Sequence, residues 1–553
     1  MKSSHRKKEN IVGWVKPATA ITGLDHLGSV APCIAIYSTL LPGLTNVTDR
    51  ARYYSFYPWF LWKFAQTNEE VESVHFHDLY RRADCLFTLV AEYHSLSLTG
   101  DADRHGSRMV GRDTLVPAIR ELQAGAVLKL SDFATQNEQG RRYFKNRLGG
   151  LGQYYLGTLE DLGILTGRKG QFVQYDPELG ADLAKRFDRG VPGDLFWKTL
   201  KHDRVTLSIL AQLSPFCPCQ LSENKPEHEL LTNLFFGKLN DDETSRVRRR
   251  KSLALILEMT RAIASDPEAT LDPWTFRSCC YCASLPAGAA WKVPEALESI
   301  RDEWRLYERN EFLSVACQAL LTIFVRSLEL LPSPPSGAAI VVHYLLGDKT
   351  LKPLSRTPWV KYLAERRKVL PAIDNASNSN HELKLMEALF DLDTGEGSLA
   401  DLGRGVKLVL EVLASLVVRK EGDASPPYGV LPITPTLLSD YPINLITFED
   451  AAIRWRDMNV GEVFESIMCD WISETHLRIA LKKLRFEHLD TFRFYPTDQG
   501  LKPREVPPFG YSNPRVRQAI QVLRDLSALE ADADGRLQLT PIGAQWLETV
   551  CQS

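Results

Sequence analysis

The chain has 553 residues, of which 44% are hydrophobic and 24% are charged. This composition is typical of a globular protein with a sizeable core, and the length predicts three or four domains. Because 66 lysines and arginines face 69 aspartates and glutamates, the overall charge neither suggests nor excludes nucleic-acid binding, and attraction to phosphate would need a local basic patch.

The N-terminus does not have the pattern of an export signal. Its basic start, MKSSHRKKEN, is followed by Ile-Val-Gly-Trp rather than by a long apolar stretch. The longest apolar run, residues 312–325, is shorter than the ~20 residues that a membrane-spanning helix needs. We therefore expect a cytoplasmic protein without membrane contact, in which the ten cysteines are free thiols.

Residues 1–135 are predicted to form a helical region with an aromatic core. Eight of the twelve residues from Tyr53 to Phe64 are aromatic, and at helical spacing they point in every direction, as in an element buried on all sides. The alternative is a platform on which nucleic-acid bases stack, with Arg50 and Arg52 contacting phosphates. The pattern offers no polar face opposite the rings, which favours the core.

Residues 136–190 and the end of the chain share one order of parts. In each, a helix with spaced leucines leads into a polar, glycine-containing hairpin and then, through a proline, into a short amphipathic helix. Two copies are harder to obtain by chance than one, and this order resembles a winged helix. The matching residues are Leu159, Leu162, Leu165 and Pro177 in the first copy and Leu523, Leu526, Leu529 and Pro541 in the second.

Between the two copies, residues 191–455 are predicted to form a middle helical region. Within it, the β-branched run Ala338–Leu346 predicts a strand. Residues 456–553 are predicted to form a C-terminal winged-helix domain. The predicted fold class is therefore mainly α, a multidomain helical protein with two winged-helix-like modules that carry small β-hairpins.

The helix of the C-terminal copy has one polar stripe. Asn513 is expected to cap the helix and Pro514 to occupy its first turn. Arg517, Gln521 and Arg524 follow at i, i+4 and i+7, and these residue types pair with base edges and phosphates when a helix lies in a major groove. The alternative is an ordinary solvated face. The candidate DNA-binding residues are Arg515, Arg517, Gln518, Gln521 and Arg524, with Arg478, Lys482 and Lys483 on a preceding helix.

The first copy presents a different surface. Its helix carries Glu160 and Asp161 on the outward side, and two carboxylates there would repel phosphate. This copy is therefore expected to pack against other parts of the protein or to bind a partner. The alternative is that DNA is contacted by the upstream residues Arg141, Arg142, Lys145 and Arg147.

No sequence motif for catalysis is found, and no cofactor is expected. Two cysteine groups, Cys217-Pro-Cys219 and Cys279-Cys280-Tyr-Cys282, contain enough thiols for a zinc site, but their spacing favours buried free cysteines. A metal-dependent nuclease would need Asp374, Glu382 and Lys384 to converge. Because residues 381–392 have a helical pattern, a non-catalytic protein is the favoured interpretation.

The segment GLDHLGSVAPCIAIYSTLLPGLTNVTDRARYYSFYPW, with the later pieces DTFRFYP and SNPR, is similar to uncharacterised bacterial proteins of defence and mobile-element loci. The resemblance implies an accessory or sensor subunit of a prokaryotic multi-component system. Together with the winged-helix pattern, it predicts a non-catalytic DNA-binding or scaffold subunit, which contacts double-stranded DNA and other proteins and could serve anti-phage defence. The alternative function is the nuclease.

Overall fold

A computed structural model of the chain describes residues 25–47, 49–67, 73–97, 109–167, 173–237, 244–266, 268–392, 395–422 and 441–552. The basic N-terminal start lies outside these residues. In the described residues the protein is mainly helical and its strands form small two-stranded antiparallel hairpins, which confirms the prediction of a mainly α fold with small β-hairpins.

The chain divides into two compact units, each assembled from separated stretches. Unit 1 comprises residues 1–36 and 306–512, and unit 2 comprises residues 37–305 and 513–553. The stretch predicted as one C-terminal domain, residues 456–553, is therefore divided after residue 512. The predicted boundaries after residues 135 and 190 fall inside unit 2, and the one after residue 455 falls inside unit 1.

The helices Val30–Leu40 and Glu295–Leu330 contain the unit boundaries. Unit 1 also has the helices Ala338–Leu346, Leu351–Ser355, Trp359–Val369, Glu382–Phe390, Leu399–Gly422, Leu445–Arg454, Trp455–Asp457, Val460–Ser466, Ile467–Glu474 and Thr475–Glu487, and the paired strands Phe494–Thr497 and Gly500–Pro503.

Unit 2 begins with the helices Tyr53–Ala65, Ser73–Ser97, Arg112–Gln123, Leu130–Ala134, Leu151–Tyr155 and Leu156–Asp161, the paired strands Leu165–Thr166 and Gln174–Tyr175, and the helix Leu179–Arg189. It continues with the helices Gly193–His202, Leu207–Gln212, Ser214–Phe216, Pro218–Glu223, Lys225–Phe236, Thr244–Ile263 and Pro273–Cys282, and ends with the helix Val516–Asp525, the paired strands Leu529–Ala531 and Leu537–Leu539, and the helix Pro541–Cys551.

The core of unit 2 surrounds the aromatic helix Tyr53–Ala65. Most of its rings are buried, and Phe56 stacks on Phe87 with ring centroids 4.1 Å apart. The Trp59 indole donates a hydrogen bond to Asp188 at 2.8 Å, and Pro58 lies inside the helix without ending it. This burial confirms the predicted core and leaves most of the rings without a face on which bases could stack.

The two predicted repeats share one backbone hydrogen-bonding pattern. In the first copy, the amide of Ile164 donates to Leu159 O at 2.8 Å. In the second copy, Ala528 donates to Leu523 O at the same distance. The residue before each donor has a positive φ, 71° at Gly163 and 59° at Ser527. Each copy therefore turns from its leucine-spaced helix into its hairpin in the same way, as the leucine spacing predicted.

After each hairpin, a glycine in the next helix lies against the turn. A Cβ atom on Gly180 would meet Ile164 O at 2.3 Å, and one on Gly543 would meet Ala528 O at 2.2 Å. Both distances are too short for a side chain, so each glycine permits close backbone packing. The repeat thus includes the packing of hairpin on helix.

The prediction of a strand at residues 338–346 is wrong, because this segment is a helix. Val341, Val342 and Leu345 are its buried residues, and their spacing is that of one helical face. Burial of this face outweighs the β propensity of the branched side chains, which depends strongly on context.

The predicted cap of the C-terminal helix is also wrong. The Asn513 side chain accepts from the Arg515 amide at 3.4 Å, which forms a local turn, and the helix begins only at Val516. Arg515 precedes it in the left-handed region, with a φ of 65°. The cap position is therefore taken by a residue whose side chain is held elsewhere in unit 2.

Among the described residues, one helix, Glu295–Leu330, is long and apolar enough to cross a membrane. Of its most apolar window, 78% is buried inside the protein. The apolar run at residues 312–325 is thus part of a buried core helix, as predicted.

Candidate functional site

The C-terminal helix Val516–Asp525 is buried on most of its circumference. Its apolar side is buried, and Gln518, on the side predicted to be polar, is buried as well. Only a narrow stripe remains at the surface, formed by exposed Arg517 and by the partly buried Gln521 and Arg524. This stripe is the part of the predicted reading face that a ligand can reach.

Two of the predicted DNA-binding residues on this segment are used inside the protein. The Gln518 amide donates to Asn46 O at 2.7 Å. The Arg515 guanidinium donates to Ser38 Oγ at 2.9 Å and lies over the Tyr37 ring, 5.0 Å from its centroid. The prediction that Arg515 and Gln518 bind DNA is therefore corrected. Their side chains bind the segment that precedes the aromatic helix.

The end of the helix is held by a buried carboxylate. Asp525 accepts from Arg50 Nε at 3.0 Å and from the Ala51 amide at 2.9 Å. Gln521 also donates to this carboxylate, at 3.0 Å. The amide of Gln521 is thus partly occupied by an internal contact, so a base edge would have to compete with Asp525 for it.

The hairpin that follows the helix is acidic. Glu530 and Asp534 are exposed, and Asp532 is partly exposed. Backbone and side-chain hydrogen bonds around the turn, that from Arg536 first, hold the pKa of Asp532 below its ordinary value. The hairpin therefore presents negative charge, and a phosphate backbone would approach the Arg517 stripe more favourably than the hairpin tip.

In unit 1, the predicted basic helix is confirmed at Thr475–Glu487, but its cations differ in exposure. Arg478 is exposed, and Lys482 is partly exposed and lies over the Tyr441 ring at 5.8 Å. Lys483 is only 1% exposed, and its ammonium donates to Asp25 O at 2.6 Å. The prediction that Lys483 binds DNA is therefore corrected, because its ammonium is used inside the protein. Burial lowers the pKa of Lys483.

Two of the three side chains of the alternative nuclease site have other roles. Glu382 is fully buried and accepts from Arg419 Nε at 2.7 Å, while Lys384 pairs with Glu387 at 2.6 Å. Burial acts to raise the pKa of Glu382, but Arg419 outweighs it and the net direction is downward. Among the described residues, the side chains grouped closely enough to hold a metal include neither Asp374 nor Glu382.

A cleft of about 320 Å³ in unit 2 opens beside the C-terminal helix. Part of its wall is formed by Gln521, Arg524 and Asp525, and another part by Cys219 and Gln220. The cleft thus brings the Arg517 stripe close to the Cys217-Pro-Cys219 segment.

Behind this wall, two thiols and an imidazole lie together. Cys219 Sγ is 3.3 Å from Cys217 Sγ and 3.3 Å from His94 Nδ1, and all three potential ligand atoms lie within 4.8 Å of one another. The 3-10 turn Ser214–Phe216 packs against the helix Ser73–Ser97, which brings the thiols to the last turn of the helix that carries His94.

Sequence reasoning found the cysteine pair but not its partner. His94 lies 125 residues from Cys219 in the chain, and no local motif surrounds it. The second cysteine group of the sequence, Cys279-Cys280-Tyr-Cys282, lies on the helix Pro273–Cys282 and is not part of the cluster. Only a signal of spatial proximity could have found His94.

Comparison of the chain with protein-family models, with curated proteins and with solved structures finds no match. A function therefore has to be inferred from the residues of the site.

Proposed function

We propose that the protein is a non-catalytic subunit that binds double-stranded DNA within a prokaryotic multi-protein system. The contact is made by the stripe Arg517, Gln521 and Arg524 of the C-terminal helix. The observation that carries the proposal is the exposure of Arg517 at the start of this stripe. The prokaryotic setting and a role in anti-phage defence rest only on the resemblance of residues 23–59, with the later pieces DTFRFYP and SNPR, to bacterial defence-locus proteins.

The stripe is well placed to hold a phosphate backbone. Its helix is fixed in unit 2 by buried contacts at both ends, through Arg515 and Asp525, so its cations are presented from a rigid element. Arginine side chains on such an element bind phosphate with charge-assisted hydrogen bonds. Rigid presentation reduces the entropy that is lost on binding.

The same contacts limit sequence readout. Gln518 and, in part, Gln521 use their amides within the protein, and these are the groups that pair with adenine edges. The remaining contacts are mainly cation to phosphate, which confer affinity without sequence information. The proposed binding is therefore dependent on salt and weakly selective.

The test compares duplex binding by wild type and an Arg517→Ala, Arg524→Ala variant, using fluorescence anisotropy at several salt concentrations. Each phosphate contact contributes about 0.9 to the slope of log affinity against log salt. We expect the variant to bind more weakly and its slope to be shallower by about 1 to 2.

The matched control is Lys198→Ala, Lys201→Ala. It removes the same charge from exposed positions on another helix of unit 2, and it should bind like wild type. A Glu530→Gln, Asp534→Asn variant should bind more tightly, because it removes repulsion beside the stripe. Equal weakening in the lysine control would mean that binding follows overall charge, and unchanged binding by the arginine variant would contradict the proposal.

A further inference from the structure

We propose that His94, Cys217 and Cys219 form a zinc-binding site. The site is independent of the proposed DNA contact, and none of its ligands belongs to the Arg517 stripe. Two thiolates and one imidazole are a donor set that binds zinc. Magnesium and calcium prefer oxygen ligands instead.

The distances fit a tetrahedral ion. Zinc bonds of about 2.3 Å to sulfur and 2.0 to 2.1 Å to nitrogen place two bound sulfurs about 3.8 Å apart, and a sulfur and a nitrogen about 3.6 Å apart. The corresponding distances from Cys219 Sγ are 3.3 Å to Cys217 Sγ and 3.3 Å to His94 Nδ1. Opening these contacts by a few tenths of an ångström would admit the ion. A disulfide would need a sulfur separation near 2.05 Å, and both cysteines are free thiols.

A buried arginine next to the cluster supports the assignment. The Arg50 side chain is fully buried, and its Nη1 and Nη2 atoms have no hydrogen-bond partner among the described residues. Cys217 and Cys219 are among the groups that interact electrostatically with this guanidinium. Thiolates bound to a metal would accept hydrogen bonds from these N–H groups. Such hydrogen bonds from outer-shell donors stabilise metal ligands.

The charges balance when zinc is bound. Each thiol loses its proton to solvent on binding, so the two thiolates offset the two positive charges of the ion and the imidazole stays neutral. A neutral cluster avoids the high free energy of a lone buried charge.

The fourth coordination position can be reached from the cleft. Cys219 and Gln220 line its wall, so a water molecule can complete the tetrahedron, as it does in zinc sites with three protein ligands. Metal binding would also fasten the segment 217–223, which forms this wall, to the helix Ser73–Ser97. We therefore expect the site to stabilise the part of the cleft wall that contains Cys219 and Gln220.

The test uses the untagged full chain, purified with a reductant and without chelator, with zinc measured by mass spectrometry. We expect about one zinc per chain in wild type and none above background in Cys217→Ser, Cys219→Ser. His94→Ala should lower the affinity for zinc by ~100-fold or more, because one of three ligands is lost. The matched control is Cys469→Ser, Cys551→Ser, which removes two partly buried thiols elsewhere and should retain zinc.

A second measurement uses wild type first, and that part does not depend on the folding of the variants. Metal-free wild type, titrated with cobalt(II), should develop thiolate-to-cobalt absorption in the near ultraviolet and the visible bands of a four-coordinate ion, both saturating at one equivalent. His94→Ala should shift the visible bands. Wild type that gives no such absorption, zinc retained equally by the double cysteine variant, or a Cys217–Cys219 disulfide in the zinc-free protein would each overturn the proposal.

Discussion

Arg50 and Asp525 form a buried ion pair between positions 475 residues apart in the chain. Arg50 Nε lies 3.0 Å from Asp525 Oδ2, and the two side chains are 0% and 3% exposed. The pair joins the segment that precedes the aromatic helix to the end of the C-terminal helix. It therefore accounts in part for the grouping of residues 513–553 with residues 37–305 in unit 2.

Asp525→Ala should strongly destabilise unit 2. The substitution leaves the Arg50 charge buried without its partner, and breaking a buried pair in this way typically costs about 3 to 5 kcal/mol. The measurement is the midpoint of chemical denaturation, with proteolysis of the C-terminal segment as a local probe. Arg50→Met, Asp525→Leu should be less harmful, since no charge is stranded; equal loss in both variants would argue against this explanation.

Ser527→Gly should stabilise the protein. Ser527 has a φ of 59°, whereas the equivalent residue of the first copy is Gly163, with a φ of 71°. A left-handed conformation is unfavourable by roughly 1 kcal/mol for residues with a Cβ but not for glycine. We expect a higher denaturation midpoint for Ser527→Gly and a lower one for Gly163→Ala. A fall in the midpoint of Ser527→Gly would show that the serine side chain contributes more than the backbone strain removes.

Neighbouring substitutions at residues 517 and 518 should have different consequences. Gln518→Ala removes the partly buried hydrogen bond that this buried side chain donates to Asn46 O, so we expect a loss of about 0.5 to 1.5 kcal/mol in stability. The salt dependence of DNA binding should not change. Arg517→Ala, at an exposed position, should leave the stability unchanged and should weaken the salt dependence of DNA binding. Thermal melting and anisotropy on the same two variants measure both effects, and similar profiles would contradict the assignment of the stripe.

Acid should destabilise unit 1 through a buried histidine. His476 Nε2 accepts from the Arg493 amide at 2.9 Å, and His476 Nδ1 lies 3.1 Å from His26 O. Burial is the largest influence on the pKa of His476 and lowers it to about 4, with Arg493 and Lys483 acting in the same direction. Burial likewise lowers the pKa of His26 to about 3.

Because these folded-state pKa values are below the unfolded value of about 6.5, the unfolded chain takes up protons first as the pH falls. The contribution of the neutral, buried histidines to the free energy of unfolding is therefore complete above about pH 6.5 and is lost as the pH falls toward 4. For His476 alone, this amounts to about 2 kcal/mol between pH 7.5 and 5. The denaturation midpoints at pH 7.5 and pH 5 should differ less in His476→Gln than in wild type. If the difference is unchanged, His476 is not a source of the acid destabilisation.

The sequence by itself determined the local elements of this protein. The aromatic run Tyr53–Phe64 was recognised as core, and the spacing of Leu159 and Leu523 revealed a repeat that shares even its backbone hydrogen bonds. These features follow from side-chain periodicity and turn chemistry, which act over a few residues. The polar stripe Arg517, Gln521 and Arg524 was visible for the same reason.

Only the tertiary structure decided which polar residues are available. At helical spacing Gln518 looks as accessible as Arg517, yet the segment around Asn46 covers it. Lys483 is buried and donates a hydrogen bond to Asp25 O. His94 and Cys219, separated by 125 residues, meet because their elements pack together. Burial and long-range proximity depend on which elements pack against each other, and periodicity along one helix does not contain that information.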